Sequence, residues 1–358
     1  MTTIGVLGGG QLGRMLAMAA ARLGHRVVVL DPDPEAPAAQ VANRHLCAAY
    51  DDAAALDELA TACDVVTYEF ENVPEVAVHA LDQRVAVHPN AHALATAQDR
   101  LVEKTFLVEL GIGTAPFRAV DHQQQLDDAV ADLGGRAVLK TRRFGYDGKG
   151  QLRVEPGNDH STAFADLGGV PLIAEGFVDF ECEISAIAAR SIDGEVRCYD
   201  PVRNVHRNGI LHTSTVPAAI DEATAEAARK AATALANALD YVGVLGLELF
   251  VLADGSVVAN EFAPRVHNSG HWTEAACAVS QFEQHIRAVT GQPLGATGRL
   301  RDAVMTNLIG HDVDRVPDLL TRPDTVVHLY GKREVRAGRK MGHVTELLPS
   351  NGVDEPRI

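Results

Sequence analysis

The chain has 358 residues, enough for two or three domains at about 150 residues each, which excludes a lone small binding module. Hydrophobic residues make up 46% and charged residues 22%, the balance of a folded chain able to bury a sizeable core. Lys and Arg number 32 against 48 Asp and Glu, a net charge of −16 that disfavours nucleic-acid backbones and anionic membrane surfaces. The five cysteines, Cys47, Cys63, Cys182, Cys198 and Cys277, are odd in number and form no Cys-x-x-Cys pair. A disulfide framework and structural zinc are therefore disfavoured, and a reducing cytoplasm fits. No apolar run is long enough to span a bilayer, and Met1-Thr2-Thr3-Ile4 lacks the basic end and apolar stretch of an export signal, so a soluble cytosolic protein is expected.

In chain order, Thr3–Leu7, Arg26–Leu30, Asp64–Tyr68 and Val85–His88 predict strands separated by alanine-rich amphipathic helices, the pattern of a parallel sheet with helical crossovers. We place the first domain at 1–95. Over 96–178 the reading is a small lobe of short strands, one helix from Gln123 to Leu133 and a glycine-dense loop. Longer strands follow at Glu181–Arg190, Glu195–Asp200 and Gly209–Val216, then a helix from Asp221 to Asp240 and a hairpin from Gly243 to Phe262. They make a larger α+β lobe over 179–300. Strands at Ala303–Ile309, Thr325–Tyr330 and Met341–Leu347 complete a C-terminal module, 301–358.

Four constellations carry chemistry. Gly8-Gly9-Gly10-Gln11-Leu12-Gly13 leaves a strand and opens a helix, and Asp31 ends the next strand. This is the dinucleotide fingerprint, but its physical content is only a tight turn and an anion-friendly helix N-terminus, so a nucleotide, another ligand and plain strand-helix packing all stay open. Phe144-Gly145-Tyr146-Asp147-Gly148-Lys149-Gly150-Gln151 joins two strands, unlike a Walker loop, and reads as a flap whose amides close over phosphates. Lys140, Arg142, Arg143 and Lys149 concentrate positive charge around it. In the hairpin, Asp254-Gly255 as a two-residue turn puts Glu248 opposite Glu261, and two facing carboxylates make sense with a cation such as Mg2+ between them. Beyond it, Asn260-Glu261-Phe262-Ala263-Pro264-Arg265-Val266-His267-Asn268 crowds an amide, a carboxylate, a guanidinium fork and an imidazole into one strand exit.

Together with Tyr68-Glu69-Phe70-Glu71-Asn72-Val73, Asn204-Val205-His206-Arg207, Tyr330-Gly331-Lys332 and Gly338-Arg339-Lys340-Met341-Gly342-His343, these motifs resemble, in order, the ATP-grasp enzymes, and among them the 5-(carboxyamino)imidazole ribonucleotide synthetases of purine biosynthesis. Gly113 and Ala337 stand where that family has proline. The resemblance implies an ATP-grasp ligase with ATP between two lobes, Arg100 and Lys140 near its phosphates and the Gly145, Tyr146, Asp147, Gly148, Lys149, Gly150, Gln151 flap above them. Adenine would lie against Glu175, Gly176, Phe177 and Val178, with Glu183 on the ribose, His206 and Asn260 lining the nucleotide site and Mg2+ on Glu248 and Glu261. It also implies that bicarbonate becomes carboxyphosphate, held by Arg265 and His267, and that the amine of 5-aminoimidazole ribonucleotide is carboxylated. Tyr146 and Asp147 would contact the aminoimidazole. Lys332, Arg339 and Lys340 would take the ribonucleotide phosphate and Glu69 its ribose, with Gln11 and Leu12 beside them, in a homodimer. A nicotinamide-dependent dehydrogenase, a nucleotide sensor and a formate-using ATP-grasp sibling are the rival readings.

Overall fold

The structure, a computed structural model, describes residues 1–145 and 149–349. Its first sheet is wholly parallel: β1 (Thr3–Leu7), β2 (Arg26–Leu30), β3 (Arg44–Leu46), β4 (Val65–Tyr68) and β5 (Ala86–Val87), in the order β3-β2-β1-β4-β5. The apolar runs of β1 and β4 are buried along almost their whole length because helices cover both faces. The helix Gln11–Arg22 starts directly after the glycine loop. Gly8 has φ +101°, and a Cβ on Gly13 would stand 2.7 Å from the Gly8 carbonyl oxygen, so these two glycines set how closely helix and strand approach.

The small lobe is a four-stranded antiparallel sheet, β6 (Phe117–Val120), β7 (Ala137–Thr141), β8 (Gln151–Val154) and β9 (Leu172–Gly176), in the order β6-β9-β7-β8. Leu126, Ala129 and Val130 of the helix Gln123–Asp132 pack on it.

The third sheet has nine strands: β10 (Cys182–Arg190), β11 (Val196–Cys198), β12 (Val202–Arg207), β13 (Ile210–Val216), β14 (Gly243–Val251), β15 (Val257–Ala263), β16 (Ala303–Ile309), β17 (Thr325–Leu329) and β18 (Lys340–Leu347). β10 is buried on both faces. Ile184, Ala186 and Ala188 face the long helix Glu222–Ala238, whereas Ile187 and Ala189 face the helix Gln281–Val289. The long helix presents Ala225, Ala228, Ala232 and Ala236, small side chains that let it lie close to the sheet, and its N-cap Asp221 accepts from Thr224 N at 2.6 Å. One strand, β12, was visible in the sequence only as the Asn204–Arg207 motif.

The C-terminal strands do not form a sheet of their own. β16 pairs with β13, Thr213 opposite Thr306, and β18 and β17 continue the same ladder. A single apolar core likewise runs from Ile4 and Val6 of β1 through Trp272 and Phe282 to Met305 and Tyr330.

In and beside this core, burial keeps several imidazoles neutral. His267, His285 and His343 are pushed down to about 3 from 6.5, and His271 moves the same way. As pH falls, the unfolded chain takes up these protons first. Their contribution is complete above pH 6.5 and is lost as pH falls toward 3. Glu103 and Glu248 act oppositely, because burial pushes them up to about 8 and about 7. The lowered imidazoles outnumber these raised carboxyls, so stability falls as pH is lowered from 6.5 toward 4.5. The thermal midpoint should therefore drop steeply as pH is lowered through that window, and a flat melting profile would contradict the buried neutral rings.

Candidate active site

A cleft of about 890 Å³ opens between the three sheets, within the size range of small-ligand sites. The Glu248/Glu261 pair lies in it. The two residues are paired across β14 and β15 as expected, but by a different route. Val251 pairs with Val257 rather than Val258, so the turn is one residue longer than a two-residue hairpin. A bulge between Glu248 and Leu249, which leaves Asn260 as the extra residue, then restores the pairing. Asn260 is in the cleft and accepts from Lys140 Nζ at 3.4 Å.

The pair is electrostatically uneven. Burial and the neighbouring Glu261 push Glu248 up to about 7. Burial works against Glu261 too, but Arg100 and Lys140 outweigh it and hold that carboxyl at about 2. Arg100 Nη1 donates to Glu261 Oε2 at 2.5 Å and Nη2 to the Gly145 carbonyl at 3.3 Å. All the donors the pair offers are carboxylate oxygens, and one of the two is starved of positive charge. That set fits a hard divalent cation such as Mg2+.

On the small-lobe side, Lys140 Nζ donates to Glu175 Oε2 at 3.1 Å. The fully buried Lys104 lies 3.3 Å from the same oxygen. Glu175 Oε1 is buried with no hydrogen-bond partner among the described residues and so remains an acceptor for a donor group entering the cleft. Gly176, Phe177, Val178, Lys149, Gln151 and Gly145 line the same wall. Glu183 Oε2 lies 2.5 Å from His206 Nδ1, both on the cleft floor. Burial would lower the His206 pKa, but Glu183 and Glu248 raise it.

Two of the flap cations serve the frame instead. Arg142 makes a bidentate pair with Asp99 at 2.9 and 2.7 Å, and Arg143 donates to Gln98 Oε1 at 2.6 Å. Both tie the flap's base to the helices Ala91–Gln98 and Arg100–Glu109. Gly150, at φ +69°, packs on Thr141 and does not line the cleft. Tyr146, Asp147 and Gly148 lie outside the described residues.

Also lining the cleft, Arg265 donates through Nε to Glu71, a partner not singled out from the sequence. Burial disfavours the Glu71 charge, but Arg265 outweighs it and holds that carboxyl below its usual range. His267 Nε2 lies 3.3 Å from Glu248 Oε1, and its Nδ1 is 2.8 Å from Ser269 Oγ. The buried side chain of Gln281 clamps the His267 backbone, accepting from its N–H at 2.9 Å and donating to its carbonyl at 2.6 Å.

Gln11, Leu12 and Glu69 all reach the cleft. Glu69 accepts from Gly10 N at 2.6 Å and Gly13 N at 2.7 Å, so the helix N-terminus already holds a carboxylate where a dinucleotide fold would hold pyrophosphate. A dehydrogenase built on this loop has no place to seat its cofactor. Of the C-terminal cations, Lys340 lines the cleft. Lys332 Nζ donates to the Lys340 carbonyl at 2.7 Å and lies 5.5 Å from the Tyr330 ring centroid. Arg339, half-buried, donates to the Glu334 carbonyl at 3.0 Å and is not among the cleft-lining residues. Sequence reading also missed Glu103, which accepts from Phe262 N at 2.6 Å, and Lys104. A signal was present: Arg100, Glu103 and Lys104 fall at helical spacing on one face.

Comparison with known proteins agrees with this geometry. Residues 1–98 match the ribonucleotide synthetase preATP-grasp domain, 105–282 the ATP-grasp domain and 303–352 the phosphoribosylaminoimidazole carboxylase C-terminal domain. The N5-carboxyaminoimidazole ribonucleotide synthase of Brucella melitensis is 61% identical over 97% of each chain. The chain belongs to the N5-carboxyaminoimidazole ribonucleotide synthase family. Two crystal structures extend the likeness. The family member from Thermus thermophilus is 46% identical with TM-score 0.91, covering 96% of this chain and 93% of its own. The Aspergillus clavatus synthase in complex with ADP and 5-aminoimidazole ribonucleotide is 34% identical with TM-score 0.91, covering 97% and 94%. The synthase family has an ATP-grasp fold with an N-terminal parallel-sheet domain, as found here. No helix among the described residues is long and apolar enough to cross a membrane.

Proposed function

We infer that the protein is a carbon–nitrogen ligase that carboxylates 5-aminoimidazole ribonucleotide to N5-carboxyaminoimidazole ribonucleotide at the expense of ATP, in purine biosynthesis. The observation that carries this reading is that one cleft is lined by the Glu248/Glu261 pair, Lys140, Arg265, His267 and Lys340 together. Mg2+ held by Glu248 and Glu261 would offset the charge of the ATP phosphates. Arg100 and Lys140 would bind those phosphates beneath the Gly145–Gln151 flap. Glu175, with its unpaired Oε1, suits the exocyclic amine of adenine, and Glu183 with His206 suits the ribose hydroxyls. Catalysis of this kind rests on positioning and on fixed charges aimed at the transferring phosphoryl group.

Arg265 offers a planar fork to the carboxylate of bicarbonate or carboxyphosphate, and Glu71 fixes its orientation. Burial leaves His267 neutral, so its ring serves as a hydrogen-bonding group and not as a cation. Tyr146 and Asp147 of the flap are assigned to the aminoimidazole, with Asp147 taking its amine proton. Lys340, the one of the three C-terminal cations that lines the cleft, is assigned to the substrate phosphate, with Lys332 bracing its backbone. Glu69 serves the ribose less directly than the sequence suggests, since both its oxygens already accept backbone N–H groups. The division 1–95, 96–178, 179–300 and 301–358, a homodimer and a cytoplasmic location complete the reading.

The test is ADP release with each acid in turn: bicarbonate should support it in the presence of 5-aminoimidazole ribonucleotide. Product formation with formate and not bicarbonate would assign the chain to the formate-using sibling. Lys340→Ala should raise the ribonucleotide KM about tenfold or more and leave the ATP KM nearly unchanged, since one charge-assisted phosphate contact is worth about 1.5 to 3 kcal/mol.

A further inference from the structure

Away from the nucleotide pole, three chain segments bring ligand atoms together in an arrangement the ligase reaction does not use. His328 on β17 and His343 on β18 are direct partners in the antiparallel ladder. Their rings stack with centroids 5.3 Å apart and planes 11° from parallel. Cross-strand partners place their Cβ atoms about 4.5 to 5.5 Å apart, a spacing that lets two imidazoles reach one ion from the same side of a sheet. Glu274, on the short helix Thr273–Ala276, supplies a third donor. Its Oε2 lies 3.2 Å from His328 Nδ1 and 3.9 Å from His343 Nε2. One ligand atom from each of the three residues lies within 4.8 Å of the others.

The surroundings orient these donors. His343 Nδ1 is 2.9 Å from the hydroxyl of the fully buried Tyr330, so its other nitrogen, Nε2, is the one turned toward Glu274. An outer hydrogen bond of this kind is how proteins fix the tautomer and angle of a metal-binding imidazole. His271 packs behind, its ring centroid 4.7 Å from that of His343. Gln281 Nε2 lies 3.1 Å from His271 Nδ1, while His271 Nε2 is buried with no hydrogen-bond partner among the described residues. A plain ion pair between Glu274 and His328 would use those two groups, yet it leaves unexplained why His343 Nε2 is turned toward the same carboxylate.

We propose that Glu274, His328 and His343 form a second metal site, separate from the Glu248/Glu261 pair, for a divalent transition-metal ion of the Zn2+, Co2+ and Ni2+ class. Two imidazoles and one carboxylate suit that class, whereas Mg2+ takes oxygen ligands and would be held at the carboxylate pair. Donors about 2.0 to 2.2 Å from one ion stand about 3.3 Å apart in a tetrahedron, so side-chain rotations that tilt the two stacked rings toward a shared point would close the set, leaving a fourth position for water. Glu274 and His328 retain side-chain exposures of 28% and 12%, which gives the ion a path in. The ion would fasten the segment after His271 to β17 and β18, and β18 begins at Lys340.

The experiment is a Co2+ titration of the full chain, followed by visible absorption, with excess Mg2+ and ADP present to occupy the nucleotide pole. The expected result is one Co2+ per chain, displaced by Zn2+, with a thermal midpoint that rises on Zn2+ addition. His328→Ala and Glu274→Gln should each weaken Co2+ binding at least tenfold and remove the Zn2+-dependent rise, while retaining ADP release with Mg2+. Should His328→Ala fail to fold, Glu274→Gln, at a solvent-facing residue, carries the same comparison. Absence of a Co2+ spectrum, or unchanged Co2+ affinity in the folded variants, overturns the proposal.

Discussion

Glu261→Gln should lower ADP release by about a thousandfold or more, and Glu248→Gln by a comparable factor, because each would remove one of the two carboxylates proposed to hold Mg2+ for phosphoryl transfer. The two variants should differ in stability. Glu248→Gln takes one member out of a pair of facing like charges, so its melting temperature should hold or rise. Glu261→Gln takes the carboxylate from Arg100, whose guanidinium is largely buried, and should melt lower. ADP release and thermal melting on the same preparations check both halves. Retained turnover in both variants would remove the metal from this pair.

Arg265→Ala should reduce bicarbonate-dependent turnover by about a hundredfold or more, and Arg265→Lys should recover little of it, because an ammonium cannot present two parallel donors to a planar carboxylate. Loss of Arg265 also strands the Glu71 carboxylate. The double variant Arg265→Ala, Glu71→Gln should therefore regain stability without regaining activity. If it regains both, Arg265 is a structural strut and the acid is held elsewhere.

Where local pattern and tertiary demand coincide, the sequence was a good guide: β1 and β2 begin and end where their apolar runs do, and the helix Gln11–Arg22 follows the glycine loop. The hairpin shows how a correct pairing can rest on two offsetting errors. A longer turn shifts the ladder by one residue and the bulge at Asn260 shifts it back, and neither is written in a propensity. The flap arginines misled for another reason. Arg142 and Arg143 look like phosphate ligands beside glycines, but their partners, Asp99 and Gln98, are more than forty residues away in sequence. Long-range pairing of that kind leaves no periodic trace, and Glu71 with Arg265, 194 residues apart, was hidden by the same cause. The glycine loop shows the limit of a motif: the fingerprint is present, and one carboxylate from β4's end, Glu69, occupies its anion site.

The continuity of the large sheet bears on how inhibitors of such a protein could be built. Glu248 and Glu261 on β14 and β15, His206 on β12 and Lys340 on β18 belong to one hydrogen-bonded sheet, so no lobe boundary separates these four residues. A compound that joined a mimic of the transferring phosphate, docked at the carboxylate pair, to a phosphorylated sugar mimic could therefore use a stiff connector of fixed length. It would forgo the ordering cost a flexible tether incurs on binding.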